Sequence, residues 1–389
     1  MIEKIHIKNF KSIYDLEFEV GRVNLFIGEN GSGKSNLLEA LVFVSASEAN
    51  KLDNEFLVSR GLRVTEPELM RSAFYEEDKE RDIDIELSSN QSCKKYKLRS
   101  KNVEYSVWED LEKKRRETGI ELYSTVLLLD KKNKNFSSIL NEKNDKIYKL
   151  YEKEMSLFKN KLQRLKSENK NKIENFIIYS PENTALRVFE KEGQIQPLGI
   201  NGEGLLKLLK VINSYEDKSY INTIIESLQL FNWFEDITIP VESLENKVVI
   251  KDKYLYREFT QKSANEGFLF ILFYITLIVA KETPKVFAID NIDASLNPKL
   301  CTKLMTLLTD LAKKYNKQIF LTTHNPAILD GIDLNDKEQK LFVVSRNKKG
   351  YTRMKEITIK NKPKSSDNEP LLLSEAFLRG YLGGLPKGF

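Results

Sequence analysis

The sequence is poor in the residues that build disulfide frameworks and metal clusters. Its 389 residues include two cysteines and two histidines. Cys93 and Cys301 lie far apart and lack the paired spacing of a zinc site. We therefore expect ordinary thiols, and neither a disulfide-stapled domain nor a structural zinc domain is indicated.

Long apolar runs are also absent. The longest, FLFILFYITLIVA at residues 268–280, has 13 residues, which is too short to cross a bilayer and favours a buried helix. The chain opens with MIEKIHIKNF, which alternates like a strand and does not resemble a signal peptide. We expect a cytoplasmic protein with no membrane partner.

Positive charge is concentrated in one segment. The whole chain carries a net charge of +5, but residues 131–172 contain 13 Lys or Arg against 5 Asp or Glu. Apolar residues recur in this segment at steps of three and four, as in a short coiled coil. They are Tyr148, Tyr151, Met155, Phe158, Leu162 and Leu165. We expect a basic helical insertion at 130–175 between segments 1–129 and 176–389.

The apolar periodicity of the other segments predicts an α/β fold. Short alternating runs near the start and between residues 83 and 108 suggest an antiparallel layer. The last third alternates strands with helices, which favours a parallel sheet with helical crossovers. The clearest predictions are helices at 34–46, 267–280 and 298–314 and strands at 286–289 and 319–322.

The most specific motif is GENGSGKS, which matches G-x-x-x-x-G-K-[ST] between the apolar strand VNLFI and the helix SNLLEAL. Its glycines let backbone N–H groups point at phosphate oxygens, and the helix N-terminus adds positive charge. Lys34 would neutralise the β- and γ-phosphates and Ser35 would bind Mg²⁺. The motif predicts nucleotide contacts by Gly28, Glu29, Asn30, Gly31, Ser32, Gly33, Lys34 and Ser35.

Two later motifs support this prediction. The stretch KVFAID brings Asp290 to the end of a hydrophobic strand, where a carboxylate can hold Mg²⁺ through water. The stretch QIFLTTHNP brings His324 onto a turn, where imidazole can donate to the γ-phosphate. Each residue alone is also compatible with an ordinary turn, but the three motifs in this order indicate an ATP and Mg²⁺ site.

Together these motifs resemble the ABC-type ATPases, and among them the RecF, SMC and OLD group. The resemblance rests on IHIKNFKSI, GENGSGKSN with Asn36 after the serine, VFAID, SLNP and TTH. It covers roughly residues 1–50 and 260–389, and we recognise no family resemblance in the middle third. It implies a P-loop ATPase head with a mixed sheet flanked by helices. The stretch LSEAFLRGYLGGLP also resembles the C-terminal tail of small ATPases encoded beside a nuclease gene in bacterial phage-defence operons.

The resemblance further implies that two heads meet face to face and that each ATP lies between the Walker motifs of one head and a signature loop of the other. The stretch KSANEGFLF occupies the signature position, so Asn265, Glu266 and Gly267 would approach the partner's γ-phosphate. An ordinary helix N-cap explains Asn265 equally well. Lys11 aligns with a basic residue that often contacts nucleotide in this group. We also expect Asn36 to contact the nucleotide.

One position departs from the family pattern. The residue after the Walker B aspartate is usually a glutamate that orients and deprotonates water, but this chain has Asn291. An amide is not a base. Either Asp293 takes that role, or hydrolysis is slower by roughly 10² to 10⁴ where general base catalysis is missing. The predicted catalytic residues are Asn291, Asp293 and His324.

These features lead to two functional hypotheses. The first is an ATP-gated sensor or scaffold, homodimeric or larger, that controls a separate effector nuclease in antiviral defence. The alternative is a DNA-maintenance ATPase that clamps DNA. The basic segment is compatible with a protein contact and with DNA or RNA. A nuclease domain of the OLD type is poorly supported, because about 65 residues follow His324 and they contain no carboxylate cluster.

Overall fold

The computed structural model of this chain describes residues 1–90, 92–101, 107–115, 118, 173–189, 193–239, 247–363 and 371–385. The predicted basic insertion at 130–175 lies outside these residues except for its last three positions. All six apolar residues of its predicted seam are therefore outside the described part of the chain.

The strands of the described part are numbered along the chain. They are β1 (Lys4–Phe10), β2 (Ile13–Glu19), β3 (Val23–Ile27), β4 (Ile83–Ser89), β5 (Ser92–Arg99), β6 (Glu109–Asp110), β7 (Ile178–Tyr179), β8 (Phe234–Thr238), β9 (Val249–Asp252), β10 (Phe259–Thr260), β11 (Val286–Ile289), β12 (Gln318–Thr323), β13 (Gln339–Arg346) and β14 (Thr352–Ile357).

The helices are numbered in the same way. They are α1 (Lys34–Glu48), α2 (Asn54–Ser59), α3 (Pro67–Met70), α4 (Asn183–Leu186), α5 (Leu205–Asn213), α6 (Ser219–Leu228), α7 (Glu266–Val279), α8 (Pro298–Lys314) and α9 (Leu373–Leu378). Short 3₁₀ segments occupy Glu76–Lys79, Pro326–Gly331 and Ile359–Asn361.

A six-stranded mixed sheet organises these elements. Its order is β14, β13, β3, β12, β11 and β7, and neighbours run parallel except for β13 and β14. The loops after β3, β11 and β12 therefore leave the sheet at the same edge, and they carry the three predicted phosphate and metal motifs. Open α/β sheets bind ligands at this edge.

Both faces of this sheet are covered, which is why its inner strands are almost wholly apolar. All five residues of β3 are buried. Phe26 faces a core shared with α1 and the antiparallel sheet, whereas Leu25 and Ile27 face a second core that contains α5 to α8. The one polar residue of β3, Asn24, donates from its side chain to the carbonyls of Gly21 and Ile319.

A five-stranded antiparallel sheet with the order β2, β1, β4, β5 and β6 packs on the α1 side. Ile5 and Ile7 of β1 face that core. Charged residues alternate with the apolar ones and pair across strands, as Lys97 does with Asp84 at 3.2 Å. The antiparallel layer predicted beside the first strands is present.

The longest apolar run forms α7, a helix of 14 residues in which 12 are buried. It has no polar face, because α4, α5, α6 and α8 all pack against it. The predicted buried helix at 267–280 is confirmed with a shift of one residue at each end. Within the described ranges, no helix combines the length and apolarity that a membrane span requires.

The structure contains elements that the sequence pattern did not predict, among them the short helices α2, α3 and α4. A small antiparallel sheet of β8, β9 and β10 was not predicted, since its strands are short and partly polar. Helix α9 was not predicted either. Of VEYSVW, the last alternating run of residues 83–108, Val107 and Trp108 lie outside any strand and the first four residues lie outside the described part of the chain. Among the described residues, β6 pairs with β5.

Candidate nucleotide site

The glycine-rich loop joins β3 to α1 at the edge of the central sheet. Gly31 and Gly33 have φ angles of +74° and +105°, which favour glycine. A methyl group on Gly33 would lie 2.2 Å from the Thr352 hydroxyl. Gly33 caps α1 without a side-chain hydrogen bond, so the first backbone N–H groups of the helix remain available for an anion.

Lys34 is buried and points back into this loop. Its Nζ donates to the carbonyl oxygens of Gly28 at 2.9 Å and Glu29 at 3.0 Å. Burial lowers the pKa of Lys34 to about 8, against the opposing attraction of Asp290, Glu29 and Asp293. The ammonium group thus lies among negative groups and backbone carbonyls, where an incoming phosphate can replace the carbonyls as its partner.

Ser32 provides a direct test of whether the loop fits a phosphate. Its Oγ is buried and has no hydrogen-bond partner among the described residues. Buried hydroxyls are normally hydrogen-bonded, so an unpartnered one needs an explanation. A phosphate oxygen held by the loop is a suitable acceptor. Of the other predicted residues, Gly28 and Gly33 are buried, Glu29 and Ser35 are half-buried, and Asn30 and Gly31 are exposed.

The residues predicted to bind metal are in contact. Ser35 Oγ donates to Asp290 Oδ2 at 3.2 Å, and Thr322 of the neighbouring strand donates to Oδ1 of the same carboxylate. Adjacent ligands of an octahedral Mg²⁺ with bonds of 2.0–2.1 Å lie roughly 2.9 Å apart. The hydroxyl and the carboxylate therefore fit neighbouring positions around that ion.

Protein groups alone do not complete a metal site. In the parts of the chain that the structure describes, no group of three or more His, Cys, Asp or Glu side chains is placed to hold a metal ion. A magnesium ion at Ser35 and Asp290 would need phosphate oxygens and water as its remaining ligands. This is the usual arrangement of Mg²⁺ in nucleotide sites.

The loop after β11 carries the unusual asparagine. Asn291 is exposed and has a left-handed φ of +55°, and its backbone N–H donates to the Thr322 hydroxyl at 2.9 Å. Asparagine tolerates this conformation better than most residues. Asp293 is half-buried, and its Oδ1 accepts a hydrogen bond from Thr323 at 2.6 Å.

His324 follows β12 and is exposed beside the glycine-rich loop. Partial burial and the charge of Lys34 lower its pKa, while Asp293, Asp290 and a hydrogen bond to the Gly28 backbone oppose that shift. The imidazole is therefore mainly neutral at pH 7. Lys34, Asp290, Asp293 and His324 are close enough to influence one another electrostatically, so the structure brings the three predicted motifs together.

Lys11 occupies the wall of a cleft of about 560 Å³ beside the loop. It forms an ion pair with buried Glu39 and donates to the Arg63 carbonyl at 2.9 Å. Burial lowers the pKa of Lys11, and Glu39 opposes this. Asn36 lines the same cleft and donates to Ser12 at 2.7 Å.

Two arginines of this cleft were missed by sequence reasoning. Arg63 pairs with Glu39 at 2.6 Å, and Arg346 donates to the Gly31 carbonyl at 2.7 Å. Arg346 reaches the loop because β13 runs parallel to β3. Neither residue belongs to a local motif, so only the pairing of distant segments identifies them.

The signature-like residues lie in a different cleft, of about 600 Å³. Asn265 caps α7 by accepting from the Phe268 N–H at 2.8 Å, which confirms the N-cap interpretation of this residue. Glu266 is exposed, and a Cβ on Gly267 would lie 3.1 Å from the Ser295 carbonyl. The clefts around Lys11 and Asn265 share no lining residue. A contact between these residues and the nucleotide of a second molecule stays a prediction.

Comparison with known proteins agrees with this geometry. Residues 23–330 match the family described as "AAA domain, putative AbiEii toxin, Type IV TA system". An uncharacterised protein of Methanocaldococcus jannaschii is 35% identical over 112 residues, which are 27% of this chain and 50% of that protein.

Two better-known relatives match shorter segments. The chromosome partition protein Smc of Methanococcus voltae is 29% identical over 127 residues, 31% of this chain and 10% of Smc. The DNA double-strand break repair Rad50 ATPase of Thermoplasma volcanium is 37% identical over 71 residues, 18% of this chain and 8% of Rad50. The matched regions span half or less of the length of these three relatives.

Among solved structures, an SMC head bound to the C-winged helix domain of ScpA superposes with a TM-score of 0.57 and 14% identity, covering 92% of this chain and 98% of that one. Likeness at this identity concerns the fold. The fold and the assembled motifs define a P-loop fold of the ABC-type ATPase class, and short segments of the chain are similar in sequence to Smc and Rad50. Within that class, the chain belongs to the AAA-domain family of the AbiEii type.

Proposed function

We propose that this protein is an ATP-binding sensor or scaffold that hydrolyses ATP slowly and controls a separate effector nuclease in bacterial antiviral defence. The contact between Ser35 and Asp290 is the observation that carries the nucleotide part of this proposal. It joins the glycine-rich loop to the end of β11, and these segments are 255 residues apart in sequence.

In this proposal the loop binds the triphosphate through its backbone N–H groups, Ser32 and Lys34. Ser35 and Asp290 hold Mg²⁺, which neutralises phosphate charge when bound. Lys34 exchanges its two carbonyl partners for phosphate oxygens. His324, mainly neutral at pH 7, donates a hydrogen bond to the γ-phosphate and so reports whether this group is present.

Slow hydrolysis follows from the residue after Asp290. The amide of Asn291 accepts no proton, and one carboxylate oxygen of Asp293 is already engaged by Thr323. The binding residues are nevertheless complete. ATP would then mainly hold two heads together, with the γ-phosphate of one chain facing the signature-like residues Asn265, Glu266 and Gly267 of the other.

The defence role is supported by the resemblance of LSEAFLRGYLGGLP to the C-terminal tail of ATPases encoded in phage-defence operons. The alternative role, an ATPase that clamps DNA during repair or chromosome maintenance, is supported by the similarity to Smc and Rad50. Both roles use an ATP-dependent homodimer or larger homo-oligomer. They differ in what the assembled heads bind, an effector protein in the first case and DNA or RNA in the second.

A comparison of the parent with Lys34→Ala tests the nucleotide part. Removing the ammonium group should abolish ATP binding in an equilibrium titration and ATP-dependent self-association in sedimentation velocity. Unchanged ATP affinity in the variant would refute the assignment of the loop.

Phage plating on cells that carry the chain with its neighbouring gene tests the biological role. Protection by the parent and loss of protection with Lys34→Ala supports the defence role. ATP-dependent binding of duplex DNA by the parent, with no effect on phage plating, would favour the DNA-maintenance role.

A further inference from the structure

Arg187 makes an unusually complete set of hydrogen bonds just after α4. Its Nε donates to Asn183 Oδ1 at 2.9 Å within the same segment. Its Nη1 donates to the carbonyls of Gln261 at 2.7 Å and Lys262 at 2.8 Å, and its Nη2 donates to the Ala264 carbonyl at 2.8 Å. One guanidinium group therefore holds three of the four carbonyls of residues 261–264.

This four-residue loop leads directly into the signature-like end of α7. The loop is also held by backbone bonds between Gln261 and Val248 and between Ser263 and Thr260, and by the Gln261 side chain, which accepts from the Val248 N–H at 2.9 Å. The side chain of Asn265 is committed to capping α7. The direction in which the loop presents Asn265 and Glu266 thus depends on a side chain more than 70 residues earlier in the sequence.

The backbone that precedes Arg187 contacts the strand end that carries Asp290. Helix α4 follows β7, and the carbonyl of Tyr179 in β7 accepts a hydrogen bond from the backbone N–H of Asp290 at 2.8 Å. Three residues separate Tyr179 from α4. The backbone of residues 179–187 and the Arg187 side chain therefore connect the end of β11, which carries Asp290, to the signature-like loop of the same chain.

We infer that Arg187 is a positioning residue that fixes the signature-like loop relative to the nucleotide site of its own chain, so that a second copy meets both surfaces in one docking geometry. This inference rests on the proposed face-to-face assembly. Arginine is needed because its planar fork presents five donors in fixed directions, whereas the single ammonium group of lysine cannot reach carbonyls on both sides.

Arg187→Lys provides the first test, and Arg22→Lys is its matched control. Arg22 also makes four hydrogen bonds, to Glu338, Asn316 and Lys317, but at the opposite end of the central sheet. We expect Arg187→Lys to bind ATP within about twofold of the parent and to weaken ATP-dependent self-association by about tenfold or more. Arg22→Lys should change neither quantity by more than about twofold.

A mixing experiment separates positioning from general damage. Arg187→Ala keeps an intact glycine-rich loop, and Lys34→Ala keeps an intact signature-like loop. Neither variant alone should self-associate with ATP. A mixed pair can form one complete site from the loop of the first and the signature-like residues of the second, so mixing should restore ATP-dependent association in sedimentation velocity.

The outcomes are distinct. Parent-like association of Arg187→Lys, or no restoration on mixing, would overturn the role of Arg187. Loss of ATP binding in Arg187→Lys would also overturn it, because the residue would then act within its own nucleotide site. A parent chain that binds ATP but does not self-associate would overturn the proposed assembly. Self-association of the parent is therefore measured before that of any variant.

Discussion

At the scale of single residues, the backbone conformation at position 291 itself favours asparagine, independently of its effect on ATP hydrolysis. Its φ of +55° lies in the left-handed region, where asparagine is tolerated and glutamate is not favoured. Introducing the glutamate usual in the ABC class would cost about 1 kcal/mol of stability for this reason. The residue is thus suited to the turn as well as unable to act as a base.

Asn291→Glu should raise the turnover of ATP, on the order of 10²-fold or more if the missing base limits the rate. Asn291→Gln is the matched control. Glutamine has the same length as glutamate and the same free-energy cost in the left-handed backbone conformation, but it has no carboxylate. Single-turnover hydrolysis with saturating ATP measures the difference. Equal rates in both variants and the parent would transfer the base role to Asp293 or another group.

The lowered pKa of Lys34 predicts a pH dependence of ATP binding. With a pKa of about 8 in the free chain, the ammonium group is largely charged at pH 7 and largely neutral at pH 9. Bound phosphate raises this pKa, so binding takes up a proton above pH 8 and ATP affinity falls with rising pH, by up to about tenfold per unit.

Titrations between pH 7.5 and 9.5 test this prediction, with Lys34→Arg as the control. Arginine stays protonated throughout this range, so the affinity of that variant should stay nearly constant. Both proteins retain His324, whose pKa is lowered by burial and by the positive charge at residue 34, so the comparison isolates the titration of residue 34. Parallel curves for the parent and Lys34→Arg would contradict the assignment.

At the scale of elements, the C-terminal segment contacts two loops that carry predicted site residues, the 3₁₀ segment after His324 and the glycine-rich loop. Ser374 of α9 donates to Asp330 through its backbone N–H and its hydroxyl, and Asp330 belongs to the 3₁₀ segment that follows His324. Further along, Gly384 lies against the glycine-rich loop, where its added Cβ would be 3.6 Å from Gly28 Cα. A movement of either loop would therefore change the contacts of this segment.

Gly384→Ala should loosen that contact. The φ of Gly384 is +81°, and its added Cβ would lie 2.6 Å from a methyl group of Val343. Gly383 has nearly the same φ, +80°, but nothing within 4 Å of its added Cβ. Gly384→Ala should therefore destabilise by about 1–3 kcal/mol more than Gly383→Ala, by overpacking, and should alone reduce ATP affinity.

Urea unfolding and an ATP titration of both glycine variants measure these effects. The shared left-handed backbone makes Gly383→Ala a control for strain, so the difference between the variants reports the packing of the segment against β13 and the loop. Identical stability and affinity in the two variants would show that this contact is unimportant for nucleotide binding.

At the scale of the whole molecule, the structure limits how the basic segment can be removed. Ile173 and Phe176 are buried in the core with α1, and Ser45 of α1 donates to the Glu174 carbonyl at 2.7 Å. Residues 173–176 therefore belong to the head. The predicted insertion at 130–175 is better tested by a deletion that ends at residue 172.

Replacing residues 130–172 with a short Gly/Ser linker should preserve ATP affinity, because the nucleotide loops are held by the sheet. It should remove binding of the effector or of nucleic acid, measured by co-sedimentation with each. A second deletion of 130–176, which takes core residues with it, should also lower stability. Retention of both partners by the first variant would show that the segment is dispensable for them.

The sequence alone determined the local parts of this protein. The glycine-rich loop, the aspartate after an apolar strand and the buried helix α7 are each encoded by neighbouring residues, through glycine conformation, strand hydrophobicity and the absence of a polar face. These were predictable because each signal lies within about one element.

Only the tertiary structure decided which distant groups meet. The contact of Ser35 with Asp290, the approach of Arg346 to Gly31, and the hold of Arg187 on residues 261–264 all join segments that are 74 to 315 residues apart. Parallel pairing of strands and burial of both sheet faces create these contacts, and no local pattern encodes them. For the same reason, the separation of the two clefts could be found only in the folded chain.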